Sequence, residues 1–480
     1  MLTLINTNRM TPPIAPIGLD YIASALRASK LDVELVDLCL ATDPEAELAA
    51  YFRSRQPELV GLTFRNVEDC FWPSARSFLP VLERDVAAVR AATDAPIVLG
   101  GVGYSLFAAQ ILERSQADFG IRGDGEESLA VLMAELRGDR NWSRVPGLVY
   151  REGAVIRTNP PAWPPSVPWV SRRDFVANGV YFQRGGQLGV EGKRGCPRRC
   201  IYCADPVAKG TTHRLRDPAV VAEEMDVLVH QGVDVIHFCD PEFNLPPQHA
   251  QQVCEELIRR NLGDRMRWYA YLAVVPLSDR LVRLMRAAGC VGINFTSDAA
   301  HPAMLAAYRQ PHRAEDLAQA VTLCRRHGIT VMFDMLLGGP GETPETLAET
   351  IAVFQRLDPD CAGAALGIRV YPDTPLFAQV LAEGPAEDNP NLRRGSSGPV
   401  DWLEPTFYVS SALGPEPARR VRELIGDDAR FFPPQLETSS AAPAAADDHN
   451  YSDNRTLTEA LAAGQRGAYW DILRRARVGR

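Results

Sequence analysis

The stretch GKRGCPRRCIYCADP (192–206) places Cys196, Cys200 and Cys203 within eight residues. A structural zinc clip uses four ligands, commonly two C-x2–4-C pairs. Downstream of Cys203 the nearest further candidate is His213, in a turn-like segment. A redox dithiol needs only one C-x-x-C. Three thiolates with a fourth place vacant suit an iron–sulfur cube with one iron left open, because thiolates are the usual ligands of such clusters. Lys193, Arg194, Arg198 and Arg199 surround the cysteines, and this basic setting is expected to lower the thiol pKa values and offset cluster charge. The other seven cysteines (Cys39, Cys70, Cys239, Cys254, Cys290, Cys324 and Cys361) are isolated, mostly in apolar runs, and read as small buried hydrophobes.

Downstream of the cysteines, strand-like and helix-like periods alternate. PAVVAEEMDVLVHQG (218–232) reads as helix and VDVIHFCD (233–240) as strand, and the alternation continues to AGAALGIRVYP (362–372). This makes about six βα units after a first strand, LGVEGKRG, and predicts a partial (β/α)6 barrel over 186–384. Barrel chemistry sits on the loops at the C-terminal strand ends, which is where the cysteine loop falls.

Upstream, residues 1–145 hold about five further βα units, among them IGLDYIASALRAS (17–29), VELVDL (33–38) and APIVLGG (95–101). They predict a doubly wound, Rossmann-like α/β domain with a parallel sheet. Ligands of such sheets lie at the carboxyl ends of the strands. Those ends carry NTNRMTPPIAPIG (6–18, with Asn8), TFRNVED (63–69, with Thr63, Arg65 and Asn66), GGVGYS (100–105, with Gly100, Gly101, Gly103 and Ser105) and RGDGEES (122–128, with Gly123, Gly125 and Glu126). Glycines there permit close approach of a ligand, and a following helix N-terminus favours an anion. Residues 146–185, including the proline-rich PPAWPPSVPWV (160–170), read as a connector. Residues 385–480 read as a small C-terminal α/β extension with a low-complexity segment at 435–450. Within it EPTFYVS is a candidate strand and GPEPARRVRELIG a short helix.

The formal charge of −9 over 480 residues argues against a nucleic-acid binder, which would carry a basic domain or stripe. No apolar run reaches the roughly eighteen residues that span a bilayer, and no export signal is evident. A disulfide framework is therefore not expected, and the expectation is a cytoplasmic protein acting on a small molecule.

Cys196-Pro197-Arg198-Arg199-Cys200-Ile201-Tyr202-Cys203 resembles the C-x3-C-aromatic-C signature of radical S-adenosylmethionine (SAM) enzymes, with Tyr202 in the aromatic position and a first barrel strand before it. What this resemblance implies is a [4Fe-4S] cluster on Cys196, Cys200 and Cys203, with SAM on its open iron. It further implies roles at the later strand ends. Asp240 and Glu242 would serve the substrate or the SAM amine. Ser297 and Asp298 would meet ribose or carboxylate, Gly338 and Gly339 (in MLLGGPGET) would form the adenine-side turn, and Arg369 would pair with the SAM carboxylate. Tyr269, Tyr271 and Tyr308 are candidate bases, provided that the surroundings lower a hydroxyl pKa near 10.

A doubly wound domain before such a barrel is similar to the cobalamin-binding subfamily, and the likeness covers roughly residues 1–384. Many cobalamin domains carry D-x-H-x-x-G, whose histidine ligates cobalt. That motif is missing here, so the implied cobalamin has no protein histidine ligand. Arg65 would face the lower side of the cobalt, where a guanidinium has no lone pair to give.

The resemblance implies a cobalamin-dependent radical SAM C-methyltransferase (class B). It would act through methylcobalamin on a small molecule, of the kind met in natural-product biosynthesis. The tryptophan 2-C-methyltransferase type, which transfers methyl without a radical step, stays open because of the Arg65-Asn66 pair. Expected partners are a flavodoxin or ferredoxin as electron donor, with no nucleic acid and no membrane, and the chain is expected to be a monomer. Two alternatives stand beside this reading. One is the same cofactors used for a rearrangement, ring contraction or oxidation; the other is a non-catalytic cofactor-binding sensor. A tRNA methylthiotransferase is disfavoured, since the first domain lacks clustered cysteines and the chain lacks a basic end.

Overall fold

The computed structural model describes residues 1–167, 170–395, 398–437 and 450–478. Five parallel strands, β1 (Leu2–Asn6), β2 (Val33–Asp37), β3 (Leu59–Thr63), β4 (Ile97–Gly100) and β5 (Phe119–Ile121), form the first sheet in the order β2-β1-β3-β4-β5. β1 is buried along its whole length, as a central strand covered by helices on both faces must be. Leu2 pairs with Val33 on one side and with Leu59 on the other. The chain reverses direction across β1, so the loops after β1 and β3 splay apart and open a crevice at their carboxyl ends. The hairpin β6 (Leu148–Glu152) and β7 (Val155–Thr158) adds antiparallel to β5. These residues lie in the predicted connector, yet their strand period docks them on the free edge of the first sheet.

The second sheet holds β8 (Leu188–Val190), then, after the hairpin strands β9 (Lys193–Arg194) and β10 (Arg214–Leu215), β11 (Val235–Phe238), β12 (Arg267–Leu272), β13 (Cys290–Asp298), β14 (Thr330–Leu337) and β15 (Cys361–Leu366). Its order is β8-β11-β12-β13-β14-β15, all parallel, with helices between successive strands. This is the expected partial barrel. Several of its helices start on a capping side chain followed by proline: Asp217-Pro218, Thr343-Pro344 and Thr374-Pro375. The cap accepts an otherwise orphaned amide while proline gives up none, an arrangement that stabilises each start by about 1 kcal/mol.

The C-terminal extension is woven into both domains. β16 (Ile368–Arg369), β17 (Leu392–Arg394) and β18 (Thr406–Tyr408) form a small antiparallel sheet, and β19 (Phe431–Phe432) extends the barrel beyond β15. The candidate strand EPTFYVS is β18, and the candidate short helix is Pro417–Ile425. Helices Arg455–Ala462 and Tyr469–Val478 pack on β12 and β14 through Leu457, Trp470 and Leu473. Most of the predicted low-complexity segment falls outside the described residues.

The two domains meet at a buried ionic cluster. Glu224 accepts from Arg173 (2.9 Å), Arg216 (2.6 Å) and the Tyr21 hydroxyl (3.0 Å), and Asp20 lies 3.3 Å from Arg173. All of these side chains are buried. Paired in this way, they hold the first domain in one orientation, because displacing any member strands a charge in the interior.

Candidate active site

The four loops at the carboxyl ends of β1, β3, β4 and β5 converge on one cavity of about 560 Å³. Asn8, Thr63, Arg65, Asn66, Gly100, Gly101, Ser105, Gly123, Gly125 and Glu126 line it. Gly103 does not. It is buried, its N–H donates to the Arg65 carbonyl (2.9 Å), and a Cβ there would meet the carbonyls of Phe64 and Arg65 at 3.0 Å. It shapes the wall from behind. Ser105 ties two loops together, donating to the Gly101 carbonyl (2.8 Å) and accepting from the Gly123 amide (3.0 Å).

The opposite wall comes from the barrel and the C-terminal extension: Gln187, Glu191, Arg194, Lys209, His237, Cys239 and Tyr271, then Tyr451, Tyr469 and Trp470. Of these, the sequence marks only Tyr271 as a site residue; Arg194 is read as part of the basic cysteine loop, and Cys239, read as a small buried hydrophobe, is instead exposed. Apart from Arg194, the others arrive by long-range topology and leave no local motif; the one hint is a histidine inside the apolar strand VIHF. His237 packs its ring 5.2 Å from that of Tyr271, and burial pushes its imidazole down to about 4, so it is neutral. No histidine precedes His213 in the chain, so the loops of the first domain offer none.

The cavity suits a large, amide-rich ligand such as cobalamin. A Cβ added at Gly100 would meet no atom within 4 Å, which leaves a bare backbone wall. Asn8 Nδ2 and Gln187 Oε1 are buried polar atoms without a protein hydrogen bond, and a corrin ring's amide arms supply both a donor and an acceptor. Buried amide groups normally find partners.

The cysteines lie at the tip of the β9–β10 hairpin. Gly195, at φ +78°, makes the entry turn, since a Cβ would sit 2.1 Å from the Thr212 carbonyl. Asp240 holds the base of the hairpin by accepting from the amides of Gly192 (2.7 Å) and Lys193 (3.2 Å) and from Lys193 Nζ (2.9 Å). Cys196 is buried, and Cys200 and Cys203 are half-buried. Among the described residues no three Cys, His, Asp or Glu side chains are gathered where one ion could sit, as a mononuclear clip would need. A cube, with each thiolate on its own iron, has no such need.

Arg198 lowers the Cys196 and Cys200 thiols as the basic loop leads one to expect, but burial outweighs it. Lys193 is paired with Asp240, Arg194 with Glu126 (2.8 Å) and Glu191 (2.7 Å), and Arg198 with Glu242 (2.8 Å). Burial therefore decides, pushing the Cys200 thiol up to about 12 and those of Cys196 and Cys203 upward as well. The thiols stay protonated until a bound metal takes the place of their protons.

Several expected roles at the strand ends are corrected. Asp240 is committed to the hairpin through Gly192 and Lys193. Ser297 donates to the Asp334 carbonyl (2.7 Å) and is fully buried. Asp298 accepts from the Tyr202 hydroxyl and the Gln310 amide. Gly338 and Gly339 are buried; Gly338 donates its N–H to Glu342, and a Cβ on Gly339 would strike the Tyr308 hydroxyl. Tyr308 is itself fully buried, donates to the Leu336 carbonyl (2.9 Å), and has its pKa pushed well above the ordinary tyrosine value by burial. It is not a base. Tyr269 donates to Asp471 (2.9 Å) and is a core residue. Arg369 binds the carbonyls of Val370 (2.6 Å) and Trp402 (3.2 Å), lies 3.3 Å from Glu68, and stacks on Tyr371. It clamps the first domain to the β16 edge and has no fork left for a carboxylate. Glu242 does adjoin the cysteine loop, with Arg198 on one oxygen and the Thr296 hydroxyl (3.1 Å) on the other. Tyr271 lines the cavity, and burial and then the Asp334 charge raise its pKa far above the usual value.

Comparison with known proteins agrees with this geometry. Residues 190–354 match the radical SAM superfamily, and residues 5–133 match the B12 binding domain. Tryptophan 2-C-methyltransferase from Streptomyces laurentii is 28% identical over 98% of this chain and 95% of its own. The radical SAM methyltransferase TsrM from Kitasatospora setae, solved with tryptophan substrate and a SAM analogue bound, superposes with a TM-score of 0.92 at 31% identity, over 99% of this chain and 98% of its own. The same enzyme with cobalamin and a [4Fe-4S] cluster bound gives a TM-score of 0.89 at 30% identity, over 100% of this chain and 99% of its own.

Proposed function

Because this chain belongs to the cobalamin-dependent radical SAM methyltransferases, we propose that it methylates a carbon of a small, flat aromatic molecule of the size of free tryptophan. One observation carries the reading: a single cavity has the cobalamin-domain loops on one wall and the barrel's Tyr271 and His237, with Tyr469 and Trp470, on the other. Flat rings of this kind offer edge and face contacts to an aromatic substrate. When bound, the cluster, SAM and cobalamin supply the methyl group and its carrier.

The chain's own residues bind, orient and exclude water. Cys196, Cys200 and Cys203 would hold the cluster, and Glu242, beside them, offers a carboxylate to an amine. The loops after β1, β3, β4 and β5 would hold the corrin. Arg65 lines that cavity and donates to Asn66 (2.8 Å). A guanidinium has no lone pair for a metal, so we propose that the first domain leaves the cobalt without a protein ligand. Electron paramagnetic resonance of the cobalt(II) form tests this in 15N-labelled protein loaded with unlabelled cobalamin: no protein 15N coupling at the cobalt is expected, and a coupling that persists when His237 is substituted would overturn it.

Both cofactor sites are completed within one chain, which supports a monomer. Reduction by a flavodoxin or ferredoxin belongs to the same proposal. All ten cysteines are free thiols, which suits a reducing, cytoplasmic compartment. Among the described residues no helix is long and apolar enough to cross a membrane. The substrate is tested by incubating the anaerobically reconstituted protein with tryptophan, other aromatic amino acids and simple indoles. A product one methylene heavier is expected from at least one aromatic compound; turnover confined to aliphatic substrates would refute the aromatic reading.

A further inference from the structure

Gln310 follows the helix Pro302–Tyr308, outside every motif of the chain, yet its side-chain amide reaches the cysteine loop. Nε2 lies 3.4 Å from Cys200 Sγ and 3.3 Å from the Tyr202 hydroxyl, and it also donates to Asp298. An amide can present either nitrogen or oxygen; here the nitrogen faces Asp298 Oδ2, the oxygen that also accepts from the Tyr202 hydroxyl, and the same nitrogen faces the sulfur.

The backbone sets up this meeting from both sides. Arg309, at φ +61°, ends the helix in the left-handed region and turns Gln310 back, with the Gln310 amide donating to the Leu305 carbonyl (2.8 Å). Asp298, at φ +60°, sits where the pairing of β13 with β14 slips between Thr296 and Asp298. Such a slip re-aims a side chain. The cysteine loop is tied to the same elements by its backbone, Ile201 N–H to the Tyr308 carbonyl (3.4 Å) and the Ile201 carbonyl to the Leu376 N–H (2.8 Å).

We infer that Gln310 is a positioning residue acting through Cys200: its N–H, aimed by Asp298, hydrogen-bonds the thiolate that carries the cluster and raises the cluster's reduction potential. The inference rests on the assignment of the cluster to Cys196, Cys200 and Cys203. Hydrogen bonds to cluster sulfurs are among the features that set such potentials, because they favour the more negative, reduced state.

The full chain, reconstituted without SAM, is measured by iron and sulfide content and by redox titration. Gln310→Met keeps the length and loses the donor; Gln310→His offers an Nε2–H at about the same reach. The expected result is a full cluster in all three proteins. At fixed potential, the reduced-to-oxidised ratio of Gln310→Met falls about tenfold, equal to about 59 mV for one electron. Gln310→His recovers at least half of that shift. Gln310→Met with a full cluster and the wild-type potential would overturn the inference. If Gln310→Met fails to take up iron, the wild-type protein decides, labelled with side-chain 15N-glutamine and examined by pulsed electron paramagnetic resonance of the reduced cluster. A 15N coupling upholds the bond and its absence overturns it. A wild-type protein that holds no cluster refutes the underlying cofactor assignment instead.

Discussion

Gly100 and Gly101 are neighbours in the same loop, and substituting each by alanine should have different consequences. Gly101 has φ +109°, and a Cβ there would stand 2.7 Å from the Phe64 carbonyl oxygen and 3.1 Å from the Phe64 nitrogen. The left-handed backbone costs an L-residue about 1–2 kcal/mol, and overpacking against rigid backbone adds about 1–3 kcal/mol. Gly101→Ala should therefore destabilise the cofactor-free protein by about 3 kcal/mol. Gly100 has no atom within 4 Å of its would-be Cβ and no positive φ, and it faces the cavity. Gly100→Ala should leave the cofactor-free protein within about 0.5 kcal/mol of wild type. If the corrin lies against this bare wall, the added methyl intrudes on the ligand, at about 1.4 kcal/mol or tenfold in affinity. Thermal unfolding of the cofactor-free proteins and equilibrium dialysis with hydroxocobalamin read the two effects separately. A stable Gly100→Ala protein that binds hydroxocobalamin as tightly as wild type would refute the placement of the corrin.

Glu224→Ala leaves Arg173 and Arg216 buried without their shared carboxylate and should lower stability by about 3–5 kcal/mol, read as an earlier calorimetric unfolding of the first transition; an unchanged midpoint would contradict the joint. Burial raises the Glu342 carboxyl from 4.5 to about 7, so its contribution to stability is present below the unfolded value and lost as pH rises through 7. Glu342→Gln should match wild type at about pH 5 and exceed it by roughly 3 kcal/mol at about pH 8 in urea unfolding, whereas a gap independent of pH would refute the buried charge. Tyr271 has its hydroxyl raised well above neutral pH, so Tyr271→Phe should lower turnover while leaving the shape of the pH–rate profile unchanged across the neutral range. Trp470 is 2% exposed and stacks edge-on to Tyr269 with ring centroids 5.8 Å apart. Trp470→Ala should cost about 3–5 kcal/mol and raise the substrate KM, and an unaltered KM would remove this residue from the cavity wall.

The two sheets, the cysteine loop and the four ligand loops are legible in the sequence because each rests on a local signal. The signals are the switch of hydrophobic period between strand and helix, and glycines or polar runs at strand ends. Side-chain roles were less legible, because a strand-end residue chooses its partner in three dimensions. Asp240, Ser297, Asp298 and Arg369 all sit at the expected strand ends, and Tyr308 ends a helix, yet each is taken by a protein partner. Lys193, Arg194 and Arg198 misled for the same reason: their charge shows in the sequence, while Asp240, Glu126 and Glu242, with which they pair, are distant. The wall built by His237, Cys239, Tyr469 and Trp470 required the fold itself, since 230 residues separate Cys239 from Tyr469.

The account stands or falls on whether this cavity passes a methyl group to carbon. Reconstituted protein given SAM with a deuterated methyl group, and an aromatic substrate that it consumes, should yield a product carrying the intact labelled methyl on a carbon, as mass spectrometry and carbon NMR would show. Consumption of the substrate to a rearranged or oxidised product without the label, by protein holding both cluster and corrin, would contradict it.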